Sequence, residues 1–157
     1  MSLSRTSSLF FDASCLILAA NTAQGGSAFL LAVCGRRFLQ AVTSPDAVAE
    51  AERNLLAKFP SAAFTRLQTV LQTSGFVFVD PPSPSAIDQY ESMFVEDAHI
   101  VAAAMAANAD YLISVDKPLL ARVADTGLSL TALSPGAFLQ SVFPAHPDYA
   151  AIRREVR

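Results

Sequence analysis

Two short apolar runs in this chain each stop on an aspartate and turn at once into helical sequence. They are LFFDASCLILAA at residues 9–20 and YLISVDKPLL at residues 111–120. Aromatic and β-branched side chains of the kind that suit strands fill both runs, and Pro118 is placed to open a helix just after Asp116. Strands separated by helices, with few hairpin turns between them, imply a parallel sheet covered on both faces.

The rest of the chain repeats this alternation. Strand readings fall at 10–12, 38–42, 76–80, 111–115 and 128–133, with helical readings at 14–20, 27–34, 45–59, 61–72, 85–93, 95–108, 118–124 and 134–143. Ser44 and Pro45 give the helix that follows them an N-cap and a first residue, and Gly75 stands where a helix closes. The PPSPS stretch at 81–85 is expected to exclude regular structure. The tail AAIRREVR is basic and helical in composition. The expected fold is α/β, a central parallel sheet of about five strands in a three-layer α/β/α sandwich. The expected organisation is one domain over residues 1–144 with a basic C-terminal tail over 145–157.

Composition agrees with a thick core. Of 157 residues, 52% are hydrophobic and 16% charged, which excludes a disordered chain. No run reaches the ~18 uninterrupted apolar residues of a membrane span. Arg5 ahead of an apolar run has the look of a leader, but Asp12 interrupts it. Cys15 and Cys34 lie in apolar helical surroundings without a pairing motif, which reads as a reduced, cytoplasmic protein with structural thiols. His99 and His146 lack zinc-site spacing.

In an open α/β sheet the ligand crevice lies outside the carboxyl ends of the strands, where Asp12 and Asp116 both fall. Further acids reach the same edge. The helix after Ser44 offers Glu50, in phase with Ala47 and Asn54, or Glu52, in phase with Val48 and Leu55; periodicity slightly prefers Glu52. The helix from about 95 offers Glu96 or Asp97, and periodicity separates them poorly. Four carboxylates gathered there repel by roughly 3 kcal/mol per pair at 5 Å and an effective dielectric of about 20. Such a cluster needs protons or divalent cations, and an all-oxygen donor set selects Mg2+ or Mn2+ over zinc. Two such ions can hold a scissile phosphate and activate water, so phosphodiester hydrolysis is the natural chemistry. A haloacid-dehalogenase-type phosphatase also begins with strand–Asp, but it needs a second Asp two residues later, where this chain has Ser14.

The segments LFFDASCLI, TSPDAVAEAERNL, EDAHIVAAAMAANADYLISVDKPLL and LSPGAFL, in that order, resemble the PIN domain, in particular its toxin group in toxin–antitoxin systems (VapC-like). The likeness runs from about residue 9 to residue 139. It implies a metal-dependent endoribonuclease whose catalytic and metal-binding acids are Asp12, Glu50, Asp97 and Asp116, with Mg2+ or Mn2+ as cofactor. By motif, Glu50 rather than Glu52 takes the helix position. Ser14 and Ser114 fall at positions that support the carboxylates, and Lys117 stands where it can meet a substrate phosphate. Asp110 precedes its strand and reads as structural. The partners implied are RNA, a small antitoxin protein and a second copy of the chain in a homodimer, with no membrane. The alternative is a PIN-like module that binds RNA or protein without cutting. Formal charge is −3, but with four of the 14 acids on metal the remaining 10 face 11 basic residues, so the surface outside the site is close to neutral and admits RNA.

Overall fold

The computed structural model describes residues 2–156. Five parallel strands form one sheet: β1 (Ser8–Phe11), β2 (Gln40–Thr43), β3 (Val77–Phe78), β4 (Tyr111–Ile113) and β5 (Thr131–Leu133), in the spatial order β3-β2-β1-β4-β5. Nine helices connect and flank them among the described residues: α1 (Ala13–Asn21), α2 (Gly26–Gly35), α3 (Pro45–Lys58), α4 (Ser61–Thr73), α5 (Pro84–Phe94), α6 (Ala98–Ala106), α7 (Lys117–Asp125), α8 (Pro135–Ser141) and α9 (Tyr149–Glu155). The three-layer α/β/α fold expected from the sequence is the one observed.

The layers follow from the two-residue period of the strands. On the central strand β1, Leu9 and Phe11 point to one face and pack with Leu16, Leu30, Leu55, Leu67 and Phe138 from α1, α2, α3, α4 and α8. Phe10 points to the other face, where Val42 and Leu112 lie beside it and Phe94, Ile100, Val101 and Leu119 cover it from α5, α6 and α7. Strand β1 is buried on both sides, which is why its sequence is continuously apolar rather than alternating. The chain winds outward through β2 and β3 on one side, then crosses to β4 and β5 on the other. The direction therefore reverses between β1 and β4, the switch point at whose carboxyl ends open α/β sheets place their ligand crevice.

Three local expectations are corrected. Strand β3 spans two residues, not five: Phe76 turns inward to meet Phe11 edge-on at 5.9 Å, and the prolines after Asp80 cannot extend a ladder. The PPSPS segment does not exclude a helix. Its third proline, Pro84, opens α5, and Ser83 caps it by accepting from the Ala86 N–H at 3.2 Å. The helix expected over 95–108 is broken at its start. Val95 takes a left-handed backbone (φ 48°), unusual for a β-branched residue, and a 3-10 turn over Val95–Asp97 precedes α6. Buried Phe94 anchors the end of α5 while Val95 stands exposed, so the turn swings Asp97 to the head of α6.

The C-terminal segment folds onto the domain. Ile152 of α9 and Val156 are buried in the Leu9-side core, and Arg36 pairs with Glu155 at 3.2 Å. Arg157, the last residue of the expected tail, lies outside the described residues. Among those residues no single helix is long and apolar enough to cross a membrane.

Candidate active site

Register places the two strand-end aspartates on either side of the crevice. Phe11 of β1 lies opposite Ile113 of β4, and the Asp12 N–H continues the ladder by donating to the Ile113 carbonyl at 3.0 Å. Asp12 therefore stands beside Ser114, two residues before Asp116. It is 7% exposed, and a buried carboxylate must be hydrogen-bonded. Its Oδ1 accepts from the Ala13 N–H at 2.8 Å, and its Oδ2 accepts from the Ser14 hydroxyl at 3.0 Å and the Ser114 hydroxyl at 2.8 Å.

The two serines fasten this carboxylate to the other strand. Ser114 Oγ also accepts from the Asp116 N–H at 3.1 Å, and Ser14 Oγ accepts from the Val115 N–H at 3.2 Å. Each hydroxyl thus donates to Asp12 and takes a backbone proton from the segment leaving β4. The result is a closed polar frame across the switch point that sets the spacing of Asp12 and Asp116. Asp116 itself caps α7, its Oδ1 accepting from the Leu119 N–H at 3.3 Å. One oxygen of the Asp116 carboxylate is thereby held, and Lys117 follows it, exposed, at the first position of the helix.

Asp97 enters from the other layer, at the head of α6. Burial, followed by the negative charges of Asp116 and Asp12, pushes its carboxyl above the usual aspartate range, while His99 and Arg122 pull against the shift. Three aspartates from three separate segments thus act on one another electrostatically. Among the described residues no three acid, histidine or cysteine side chains stand close enough to grip a metal ion together. The donor set is nonetheless the hard-oxygen kind that suits Mg2+, which is commonly held through one or two carboxylates while it keeps several waters.

Glu50 lies half-buried on the second turn of α3 and is not among the charges acting on Asp97. Glu52, the residue that periodicity slightly preferred, turns to the neighbouring helix, where it accepts from the Gln68 side chain of α4 at 3.1 Å. Glu96 is exposed, and its carbonyl faces His99 Nδ1 at 3.0 Å. Asp110 accepts from the Ser8 N–H at 2.9 Å, at the opposite end of the sheet. Arg122, on the flank of α7, also acts on Asp97, and its local sequence pattern carries no signal of a site. Both cysteines are free and buried. Burial, then the charge of Asp12, raises the Cys15 thiol to about 12, and burial alone raises Cys34 further. Neither supplies a thiolate at neutral pH.

The raised Asp97 carboxyl has a stability consequence with a definite sign. The folded protein holds this proton more tightly than the unfolded chain, so the contribution is favourable below the ordinary aspartate range and is lost as pH rises through the folded value. In metal-free buffer at neutral pH, Asp97→Asn is expected to melt a few degrees higher than wild type, the scale on which one charge moves a protein of this size. The gap should close when both are melted below the ordinary aspartate pKa. A variant that melts lower at neutral pH would show that the Asp97 charge is not opposed by its neighbours.

A family model described as PIN domain matches residues 8–118. No curated protein sequence matches the chain. Solved structures do. The Pyrobaculum aerophilum protein PAE2754 is 21% identical with a TM-score of 0.59, over 89% of this chain and 97% of its own. VapBC2 from Rickettsia felis, solved bound to a DNA fragment from its promoter, is 17% identical with a TM-score of 0.58, over 80% of this chain and 98% of its own. VapC20 of Mycobacterium tuberculosis, a sarcin-ricin loop cleaving toxin, is 12% identical with a TM-score of 0.55, over 77% of this chain and 97% of its own. At these identities the likeness is one of fold.

Proposed function

Since the chain belongs to the PIN domain family, we propose that it is a divalent-metal-dependent endoribonuclease, the toxin of a toxin–antitoxin pair. The observation that carries the reading is the frame at the switch point. A nearly buried carboxylate, Asp12, is fixed by two hydroxyls to the strand exit that bears Asp116, and the charges of both reach Asp97.

In this reading Asp12, Asp97 and Asp116 would hold Mg2+ or Mn2+, one or two of them directly and the others through the waters the ion keeps, with Glu50 as the fourth acid from α3. When bound, the ion supplies water activation and charge neutralisation at a scissile phosphate. The chain's own part is orientation. Ser14 and Ser114 hold Oδ2 of Asp12 and the Ala13 N–H holds Oδ1, so the carboxylate is oriented before charge develops. Lys117, exposed beside Asp116, meets the phosphate of the substrate strand. Arg122 tempers the negative field that would otherwise repel RNA.

Residues 1–144 then form the catalytic domain, and 145–157 a basic extension whose Ile152 and Val156 pack on it. The partners are RNA, an antitoxin, for which the VapBC-type fold neighbours are the precedent, and a second copy of the chain. The setting is the cytoplasm.

Ser114 tests the orienting frame. It is fully buried, and Ser114→Ala removes a donor to Asp12 and the acceptor of the Asp116 N–H together. Cleavage should fall by about 10- to 100-fold, with a smaller loss for half-exposed Ser14→Ala. Equal rates for wild type and Ser114→Ala would mean that the frame is only structural. The function itself is tested by incubating the protein with mixed RNA and Mg2+. Fragments are expected, whereas RNA that is bound but left intact would favour a non-cutting module.

A further inference from the structure

At the opposite end of the sheet a cavity of about 200 Å3 opens at the amino ends of β2 and β3, lined by Arg5, Thr6, Arg37, Gln40 and Gly75 and by no acidic residue. It is separate from the aspartate crevice, because the length of β2 places the two ends about 13 Å apart. We propose that this cavity is an anion site that takes one phosphate group between the guanidinium groups of Arg5 and Arg37.

Arg5 is exposed, but it is braced from behind by a connected set of contacts whose far end, Phe38 and His146, is buried. Its Nε donates to Asp148 Oδ2 at 3.0 Å, and its guanidinium lies 4.5 Å from the centre of the Phe38 ring. The Asp148 N–H in turn donates to His146 Nδ1 at 3.0 Å, and buried His146 presents Nε2 to the Phe38 carbonyl at 2.7 Å. With Nε occupied and the plane stacked, the terminal nitrogens of Arg5 are fixed in direction, which lowers the ordering cost of binding.

Arg37 carries the second argument. Helix α2 ends in a Schellman motif, with the Arg37 N–H donating to the Cys34 carbonyl at 2.9 Å and the Phe38 N–H to the Val33 carbonyl at 3.3 Å. The residue between them must be left-handed, a position that glycine normally fills. This chain puts arginine there at φ 67°. A side chain kept where glycine would be unstrained points to a use for it. The guanidinium lies over Gly75, where a Cβ would come within 2.7 Å of Arg37 Nη1, and among the described residues Arg37 has no carboxylate partner. Two guanidinium groups, one of them unpaired, line a cavity that Leu39 and Val77 complete and that has no acid in its lining. That is the donor geometry that recognises phosphate oxygens.

The test is calorimetric titration of inorganic phosphate at constant ionic strength, with chelator present so that the aspartate crevice repels the anion. Arg37→Gly is the decisive variant, because glycine suits the backbone there and its melting temperature in phosphate-free buffer should equal or exceed that of wild type. Wild type should bind phosphate in the millimolar range or tighter, Arg37→Gly roughly tenfold or more weakly, and Arg154→Gln as wild type does. A short single-stranded RNA that displaces phosphate from wild type, but binds Arg37→Gly more weakly, identifies the backbone of RNA as the source. Phosphate binding untouched by RNA identifies a free phosphate compound. Wild type that takes no phosphate, or Arg37→Gly that takes it equally well, overturns the site. Because the measurement excludes divalent ions and cleavage, its outcome is independent of the ribonuclease reading.

Discussion

Asp116→Asn is expected to cut RNA cleavage by about a thousandfold while leaving the protein folded. The amide keeps the shape of the side chain and an oxygen for the Leu119 N–H, so the cap on α7 survives, and asparagine caps as well as aspartate does. What the change removes is the charge facing Asp97 across the crevice. Asp12 would be a poorer choice for this experiment. Both its oxygens already accept hydrogen bonds, two of them from hydroxyls on one oxygen, so an amide nitrogen would meet a donor whichever way it turned. Loss of activity there would confound charge with folding. If Asp116→Asn cleaves RNA at the wild-type rate, Asp116 is a helix cap and nothing more.

Removing divalent ions should have an effect at least as large. With excess chelator, cleavage is expected to disappear, and Mg2+ or Mn2+ should restore it. Neither thiol offers a substitute, since both are buried with raised pKa, and Nδ1 of His99, on the first turn of α6, is engaged with the Glu96 carbonyl. Cys15→Ser should therefore cleave within about twofold of wild type under the same conditions, since catalysis by a bound metal ion needs no covalent nucleophile. Magnesium should also raise the melting temperature of wild type more than that of Asp116→Asn, because a ligand that binds only the native state stabilises it in proportion to its affinity. Undiminished cleavage in chelator would remove the mechanism.

Much of the fold is legible in the sequence because its causes are local. The apolar run ending at Asp12 and the Ser44–Pro45 helix start are decided by residues within a turn of each other, and the structure has both. Asp12 directly follows β1, as that pattern expects, whereas β4 stops at Ile113, short of the expected Val115, and Asp116 stands three residues on as the cap of α7. Other features depend on partners distant in the chain. That Glu52 turns to Gln68 is settled by how α3 packs on α4, which no periodicity within α3 can reveal. The double role of Ser114 exists only because β1 and β4 meet in one register, with Phe11 opposite Ile113. The break at Val95 runs against the residue's own preference, so sequence reading continues a helix through it. Asp97 and Arg122 come into each other's field only once α6 and α7 are laid on the same face of the sheet.

Whether Asp12, Asp97 and Asp116 hold a divalent cation is read out by Mn2+ binding followed by electron paramagnetic resonance. Wild type is predicted to take up Mn2+ with loss of the free-ion signal, and Mg2+ should compete. Asp116→Asn and Asp97→Asn, each folded by thermal melting, should leave that signal largely free at the same protein concentration. Equal Mn2+ uptake by wild type and both variants, or none by wild type at concentrations where it cuts RNA, would contradict metal binding at these aspartates.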